Sequence, residues 1–189
     1  DIGVSWTDAK AKAAALDYYG MQGYLATITS YDEVKLSGEQ AKGTGWIGAS
    51  DQSDEGTWKW VTGPEAGKTF WIGTVGGSTN GTDIPYEYWN TNEPNNLGNE
   101  DYAHITAPNI GIKGSWNDLA NSGAISGDYQ PKGFIVEYGG MPGDPIVDFG
   151  NNETNFTIAE ITNTTGNERC GIGEVNLTAS STSGFVIWF

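Results

Sequence analysis

The sequence has few of the residues on which several common kinds of protein depend. It has one cysteine, Cys170, so no disulfide can form within the chain, and we expect this residue to be a small buried hydrophobe. It has one histidine, His104, in a strand-like stretch where we expect it to be packed. The sequence shows no Cys/His metal set, no nucleophile–base pair and no phosphate-binding glycine loop. We therefore expect a protein that is not an enzyme.

Positive charge is also scarce, with nine Lys and Arg against 24 Asp and Glu and a formal net charge of −15. Binding to nucleic acid or to an anionic membrane surface depends on a basic patch, so neither partner is expected. No apolar run approaches the ~18 residues that cross a bilayer, so we expect no membrane insertion. The acidic excess suits calcium binding, but it also suits plain solubility and a salty environment.

What is present is a globular composition, 37% hydrophobic and 12% aromatic over 189 residues, which is enough for one domain with a core and a remainder. Two helices are predicted near the start. The first covers 5–19 with Ser5 as its N-cap, and the second covers about 31–42, where Ser30 and Glu33 form a capping-box pattern. An extended, buried connection is predicted between them.

After Gly43 the pattern changes to short aromatic-rich runs separated by Gly, Asn, Asp and Pro, which predicts strands. Helices followed by many short strands indicate an α+β domain with antiparallel sheets. The connection from about 73 to 101 is long for a compact domain, and such loops are usually functional. The predicted strands lie at 45–48, 57–61, 70–72, 102–105 and 133–138.

A Pro/Gly-rich break at 139–145 predicts a domain boundary, with one domain at 1–140 and a linker and partial module at 141–189. In the second part, 174–179 alternates in polarity and 184–189 is typical of a further strand. About 45 residues are too few for an independent core, so we expect the tail to be the start of a β-sandwich in a larger protein.

Polar residues that suit calcium are concentrated at three places. The segment 90–101 is dense in Asn, Glu and Asp around Pro94, 115–118 adds an amide and a carboxylate, and Asp51 and Glu55 follow a predicted strand. Calcium takes six to eight oxygen ligands from such groups. Each cluster alone could be a surface turn, but three of them, ordered around short aromatic strands, favour a metal site.

Residues 4–139 resemble a C-type lectin-like domain of the mannose-type subgroup. The most specific part of the resemblance is an order of three motifs at the family's spacing: Glu93-Pro94-Asn95, then Glu100-Asp101, then Trp116-Asn117-Asp118. The other matching features are the first helix with Trp6 and Ala9, Gly23-Tyr24-Leu25-Ala26, Trp46-Ile47-Gly48 and the closing run Gly133-Phe134-Ile135-Val136-Glu137.

The resemblance implies a C-type lectin-like fold and bound Ca²⁺, with two adjacent sugar hydroxyls that coordinate the ion and hydrogen-bond to its ligands. It further implies sugars with equatorial 3- and 4-hydroxyls, such as mannose, glucose, N-acetylglucosamine or fucose; Gln-Pro-Asp in place of Glu93-Pro94-Asn95 would imply galactose. The residues matching the sugar-binding calcium site are Glu93, Asn95, Glu100, Asn117 and Asp118. Those matching an accessory calcium site are Asp51, Glu55, Asn96 and Asp101, with Glu100 shared.

The sequence departs from the family in lacking its paired cysteines, which is typical of bacterial-type members. The tail resembles the first strands of the Ig-like modules found in bacterial adhesins. We therefore expect the adhesion module of a secreted or cell-surface protein, extracellular and of bacterial origin, with a cell-surface or matrix glycan as its partner.

Two hypotheses about function remain open on the sequence alone. The first is calcium-dependent sugar binding, and the alternative is a protein-binding or structural module in which calcium only stiffens the loops. Both hypotheses place six carboxylates at one end of the domain, where like charges should raise one another's pKa when no cation is present.

Overall fold

The computed structural model describes residues 2–145 and the backbone of 163–165 and 178–180. The chain separates into two compact units, Asp1–Pro145 and Ile146–Phe189. The division at residue 140 between a lectin-like domain and a partial Ig-like module stays a prediction. In the second unit a strand at Asn163–Thr165 pairs antiparallel with one at Thr178–Ser180. Cys170 and the strand predicted at 184–189 lie outside the described residues.

The first unit is a mixed α+β structure with two short helices and antiparallel sheets, as the sequence predicts. Helix α1 covers Trp6–Ala14, and the Ser5 side chain caps it by accepting a hydrogen bond from Asp8 N at 3.1 Å. Its buried face carries Trp6, Ala9 and Ala13. None of the helices in the described part of the chain has the length and hydrophobicity of a membrane span.

The prediction that α1 continues to residue 19 is wrong. Residues Asp17–Tyr18 form strand β1, which pairs with strand β2 at Met21–Leu25. The two residues of the connecting turn, Tyr19 and Gly20, have φ values of 54° and 83°. A two-residue hairpin with positive φ at both central positions is the favoured connection between antiparallel strands. The turn therefore takes residues that helix periodicity alone assigned to α1.

The second helix is also shorter than predicted. Helix α2 covers Tyr31–Glu33 and continues as a π-helical turn at Val34–Gly38, not to residue 42. It ends where the chain passes close to another segment. A Cβ on Gly38 would lie 2.7 Å from the carbonyl oxygen of Gly114, so this approach requires glycine.

The remaining strands are β3 Gly45–Ser50, β4 Thr57–Trp60, β5 Thr69–Ile72, β6 Tyr102–Ile105, β7 Trp116–Leu119, β8 Gly133–Phe134 and β9 Val136–Tyr138. The main sheet has the strand order β5-β4-β3-β6-β7, and β8 pairs parallel with β3. A smaller sheet joins β1, β2 and β9. The run predicted as one strand at 133–138 is divided at Ile135, which donates its N–H to the carbonyl of Trp46 in β3 and accepts from the N–H of Ala26, the residue that follows β2.

An aromatic core holds the long loop against this sheet. Trp89 packs on Trp58 with ring centroids 4.8 Å apart and on Trp116 at 5.8 Å. The backbone of the loop is also paired with β7: Trp116 N donates to Tyr88 O and Asn90 N donates to Trp116 O, each at 2.8 Å. The polar segment that follows Asn90 therefore starts from a fixed point beside β7.

Candidate functional site

The long loop and strand β7 together form a surface pocket of about 310 Å³. Four of the five residues predicted for the sugar-binding calcium site line it. The other four lining residues are apolar or aromatic, and the sequence did not indicate them. The lining residues are Glu93, Asn95, Leu97, Glu100, Asn117, Leu119, Ala124 and Tyr129.

The fifth residue, Asp118, lies beneath the loop and is fully buried. Its Oδ1 accepts a hydrogen bond from Asn95 N at 3.1 Å, and its Oδ2 accepts one from Asn96 N at 2.7 Å. One carboxylate on β7 thus fixes the two residues that follow Pro94, whose peptide bond with Glu93 is cis.

The asparagines of the segment shape its backbone. Asn92, Asn96 and Asn99 have φ values of 65°, 51° and 74°, in the left-handed region that Asn tolerates better than most residues. Asn96 Oδ1 accepts from Glu100 N at 2.8 Å, and Asn95 Oδ1 accepts from Leu97 N at 2.8 Å. The asparagines that are so frequent in this segment therefore have a structural role in the loop, in addition to any role as ligands.

Behind the pocket, His104 fixes the amide of Asn117. The imidazole is fully buried, and its Nδ1 lies 2.8 Å from the carbonyl oxygen of Ile105, which can only accept. Burial lowers the pKa of His104 to about 4, so the ring is neutral and its Nε2 is an acceptor. Asn117 Nδ2 donates to Nε2 at 3.0 Å and to the Asp118 carbonyl at 2.6 Å. Asn117 Oδ1 is then the amide atom available to a ligand.

The predicted accessory residues also come together, on the other side of the loop. Asp51 is buried; its Oδ2 accepts from Gly56 N at 2.9 Å, while its Oδ1 has no hydrogen-bond partner in the described part of the chain. Asn96 Nδ2 donates to Glu55 Oε1 at 2.7 Å. Asp101 meets Asp51 through its backbone, with Asp51 N donating to Asp101 O at 3.3 Å.

Four carboxyl groups in the two clusters have raised pKa values. Burial, followed by the charge of Asp118, raises the pKa of Glu93 to about 8 and that of Glu100 to about 7. Burial raises the pKa of Asp51 to about 7, with the charges of Glu55 and Asp101 adding to the effect. Burial also raises the pKa of Asp118. A rise in these pKa values is expected of crowded carboxylates, although burial contributes more to it than the neighbouring charges do.

These residues fit calcium by chemistry. They offer carboxylate, amide and backbone oxygens, which Ca²⁺ prefers, and the buried Asp51 Oδ1 lacks a partner that a cation would supply. Within residues 2–145, no group of three or more His, Cys, Asp or Glu side chains is arranged to hold an ion. Here several of the side chains are hydrogen-bonded to one another instead, as Asn95 is to Glu93.

We expect the stability of the calcium-free protein to fall as the pH rises from about 5 to about 8. The folded-state pKa values of Glu93, Glu100 and Asp51 are raised, so the folded state binds protons that the unfolded state has released. This contribution to stability is complete below the ordinary carboxyl pKa of about 4 and is lost as the pH passes through the raised values. Calcium binds the ionised carboxylates, so the stabilisation it adds should grow over the same interval.

The measurement is the melting temperature at several pH values in EDTA and in excess calcium. Glu100→Gln should flatten the trend in EDTA, whereas Glu39→Gln, which lies outside both clusters, should leave it unchanged. A calcium-free melting temperature that rises with pH, or curves that coincide with and without calcium, would contradict the expectation.

No protein-family model matches the chain. Among curated proteins, halomucin from Haloquadratum walsbyi is 38% identical over 157 residues, which is 82% of this chain and 2% of halomucin. C-type lectin domain family 4 member M from Gorilla gorilla gorilla is 33% identical over 97 residues, which is 50% of this chain and 20% of that protein. The second of these relatives supports a C-type lectin-like domain in this chain. The chain spans only a small part of the length of each.

Solved structures of lectins also align with the chain. The C-type lectin CEL-I from Cucumaria echinata is 20% identical, with a TM-score of 0.48, and the alignment covers 72% of this chain and 84% of that one.

Proposed function

We propose that the domain binds sugars in a calcium-dependent and non-catalytic way, and that it prefers sugars with equatorial 3- and 4-hydroxyls of the mannose, glucose, N-acetylglucosamine and fucose type. The observation that carries the proposal is the set of polar residues that line the pocket. Two carboxylates, Glu93 and Glu100, and two amides, Asn95 and Asn117, line the same pocket, above the buried Asp118.

The proposed role of each side chain follows from its hydrogen-bonding capacity. An ionised carboxylate only accepts, whereas an amide can donate through its nitrogen while its oxygen accepts. A sugar hydroxyl placed between a carboxylate and an amide can therefore donate to the first and accept from the second. Calcium, when bound, would take the same hydroxyl oxygens as ligands. Asp118 and His104 hold these polar residues in place, the first through the loop backbone and the second through the amide of Asn117.

We propose Glu93, Asn95, Glu100, Asn117 and Asp118 for the sugar-binding calcium site, and Asp51, Glu55, Asn96 and Asp101 for an accessory site. We further propose that the domain is an adhesion module of a larger secreted or cell-surface protein. Halomucin and the C-type lectin each extend far beyond the matched region, which supports the larger protein in this proposal. A bacterial origin stays a prediction.

The test is a glycan array probed with the chain in calcium and in EDTA. A single site of this kind should be weak, with a Kd of roughly 1 mM, so the chain should be displayed in several copies to raise its effective concentration. We expect binding to mannose- or glucose-type glycans that EDTA abolishes. Asn95→Asp should abolish it too, whereas Asn80→Asp, outside the pocket, should not.

Two outcomes would contradict the proposal. One is binding that persists in EDTA, and the other is the absence of binding to any mannose- or glucose-type glycan in calcium. Either would favour the alternative function, a protein-binding or structural module in which calcium only stabilises the loops.

A further inference from the structure

The connection between β7 and β8 closes into a fixed lobe beside the pocket. Ala124 N donates to Tyr129 O at 3.1 Å, and Gln130 Nε2 donates to Ile125 O at 2.7 Å, so residues 124–130 fold back on themselves. The lobe is also tied to the buried Thr44, whose hydroxyl donates to Asp128 O and whose carbonyl accepts from Lys132 N. The position of the lobe is thus set by contacts on both sides.

Within this lobe, Tyr129 is supported on one side by the core and is also partly exposed. The ring lies edge-on to the imidazole of His104, with centroids 6.3 Å apart at 90°, and His104 is itself fully buried in β6. The side chain is nevertheless 40% exposed and lines the same pocket as Glu93, Asn95, Glu100 and Asn117. A rigid aromatic side chain of this kind gives contact area at little cost in conformational entropy.

The pocket is therefore lined by two unlike sets of side chains, called here the polar wall and the apolar wall. The polar wall is the four polar side chains, and the apolar wall is Leu97, Leu119, Ala124 and Tyr129. A bound cation alone would contact the oxygen ligands and not the apolar side chains. A sugar ring matches both walls, because its hydroxyls project from its edge while its C–H groups form an apolar face that packs on aromatic rings. The volume, about 310 Å³, is at the lower end of the ~300–1,000 Å³ of small-molecule sites.

The alternative to a ligand-contacting role for Tyr129 is that it only anchors the lobe. A tyrosine that packs on a core histidine can serve only to hold a surface loop in place. The lobe has its own anchors in the Thr44 and Gln130 hydrogen bonds, and Tyr129 is partly exposed and lines the same pocket as the polar residues. Both features favour a ligand-contacting role.

We propose that Tyr129 contacts the sugar directly, packing on the C–H face of the ring whose hydroxyls meet the polar wall, and so helps to determine which sugars bind. This inference rests on the proposed function, because it assigns a second wall to the same site.

The experiment measures the affinity of the chain for the methyl glycosides of mannose, glucose, N-acetylglucosamine and fucose in excess calcium. Tyr129→Ala should weaken the binding of the preferred sugar about tenfold, equivalent to ~1.4 kcal/mol. Tyr129→Phe keeps the ring and should bind within about twofold of the unchanged chain. Tyr18→Ala removes a tyrosine of similar exposure outside the pocket and should have no effect.

The calcium-dependent rise in melting temperature is the second measurement, and it should be the same in all three variants. Tyr129→Ala that binds the sugar as well as the unchanged chain would overturn the inference and leave the proposed function standing. Loss of the calcium effect in Tyr129→Ala would also overturn the inference, by showing that the residue supports the long calcium-binding loop. If the unchanged chain bound none of the four sugars, the proposed function would fail, and this inference with it.

Discussion

Asp118→Ala should lower the free energy of unfolding by about 2–4 kcal/mol, because two backbone N–H groups lose their acceptor. The Asp118 carboxylate accepts from Asn95 N and Asn96 N, and the residue is fully buried. Without it, water cannot readily replace both bonds. Calcium-dependent stabilisation and sugar binding should both be lost, since Asp118 is also a proposed ligand.

A smaller effect acts in the opposite direction. The charge of Asp118 helps to raise the pKa of both Glu93 and Glu100, so its removal relieves repulsion in the calcium-free state. Both pKa values should fall. The loss of stability should still be the larger effect, because Glu93 and Glu100 can avoid repulsion by holding protons whereas the backbone N–H groups have no such alternative.

Urea denaturation in EDTA and in excess calcium measures both contributions. The matched control is Asp83→Ala, which removes an exposed carboxylate that accepts a single backbone hydrogen bond from Thr69 N at 2.9 Å. Its effect should stay below about 1 kcal/mol, and its calcium response should be unchanged. A calcium response that survives in Asp118→Ala would exclude Asp118 as a ligand.

The strands were predictable where local pattern and tertiary packing agree. The β4 run Thr57–Trp60 alternates half-buried and buried residues as its sequence does, with Trp58 and Trp60 in the core. The helix ends were not predictable in the same way. The Tyr19–Gly20 turn and the approach of Gly38 to Gly114 depend on the strand or segment that each end meets.

The polar wall of the pocket was predictable because its members lie in two short stretches of sequence. The β6–β7 pairing sets Ala103 opposite Asp118 and His104 opposite Asn117, and it brings the end of the loop beside the second stretch. The apolar wall was not predictable from the sequence. Tyr129 lies in a connection without a periodic pattern, and only the folding of that connection against Thr44 and His104 brings its ring to the pocket.

The structural role of the buried Asp118 could likewise not be predicted from a ligand motif. Sequence marked it as one carboxylate among several, whereas the structure makes it the acceptor that fixes the loop backbone. Exchanges at exposed or half-buried ligands such as Glu93 and Asn95 therefore test recognition more cleanly than changes at Asp118 do.

The double variant Glu93→Gln/Asn95→Asp should change sugar preference from the mannose and glucose type to galactose. In the unchanged chain, Asn95 Nδ2 donates to Glu93 Oε2. The exchange moves the donor to position 93 and the acceptor to position 95, so the pair stays complementary while its direction reverses. A pair of sugar hydroxyls therefore meets the donor and the acceptor in the reverse order. We expect the ratio of galactose to mannose affinity to rise at least about tenfold, or ~1.4 kcal/mol.

Calcium binding should survive the exchange, because the pair still supplies one carboxylate and one amide. Its dependence on pH should shift. Burial and the charge of Asp118 raise the pKa at position 93 to about 8, whereas position 95 is exposed. A carboxylate placed there ionises at lower pH, so calcium should stabilise the double variant to a lower pH than the unchanged chain.

The two single substitutions are the controls. Glu93→Gln alone leaves two amides and should weaken calcium binding, while Asn95→Asp alone leaves two carboxylates and removes a donor. Neither should bind galactose well, because each has lost the paired order. Sugar preference is read from competition by methyl galactoside and methyl mannoside, and calcium binding from the melting temperature. A double variant that keeps its calcium response and its original preference would show that this pair does not set the specificity of the pocket.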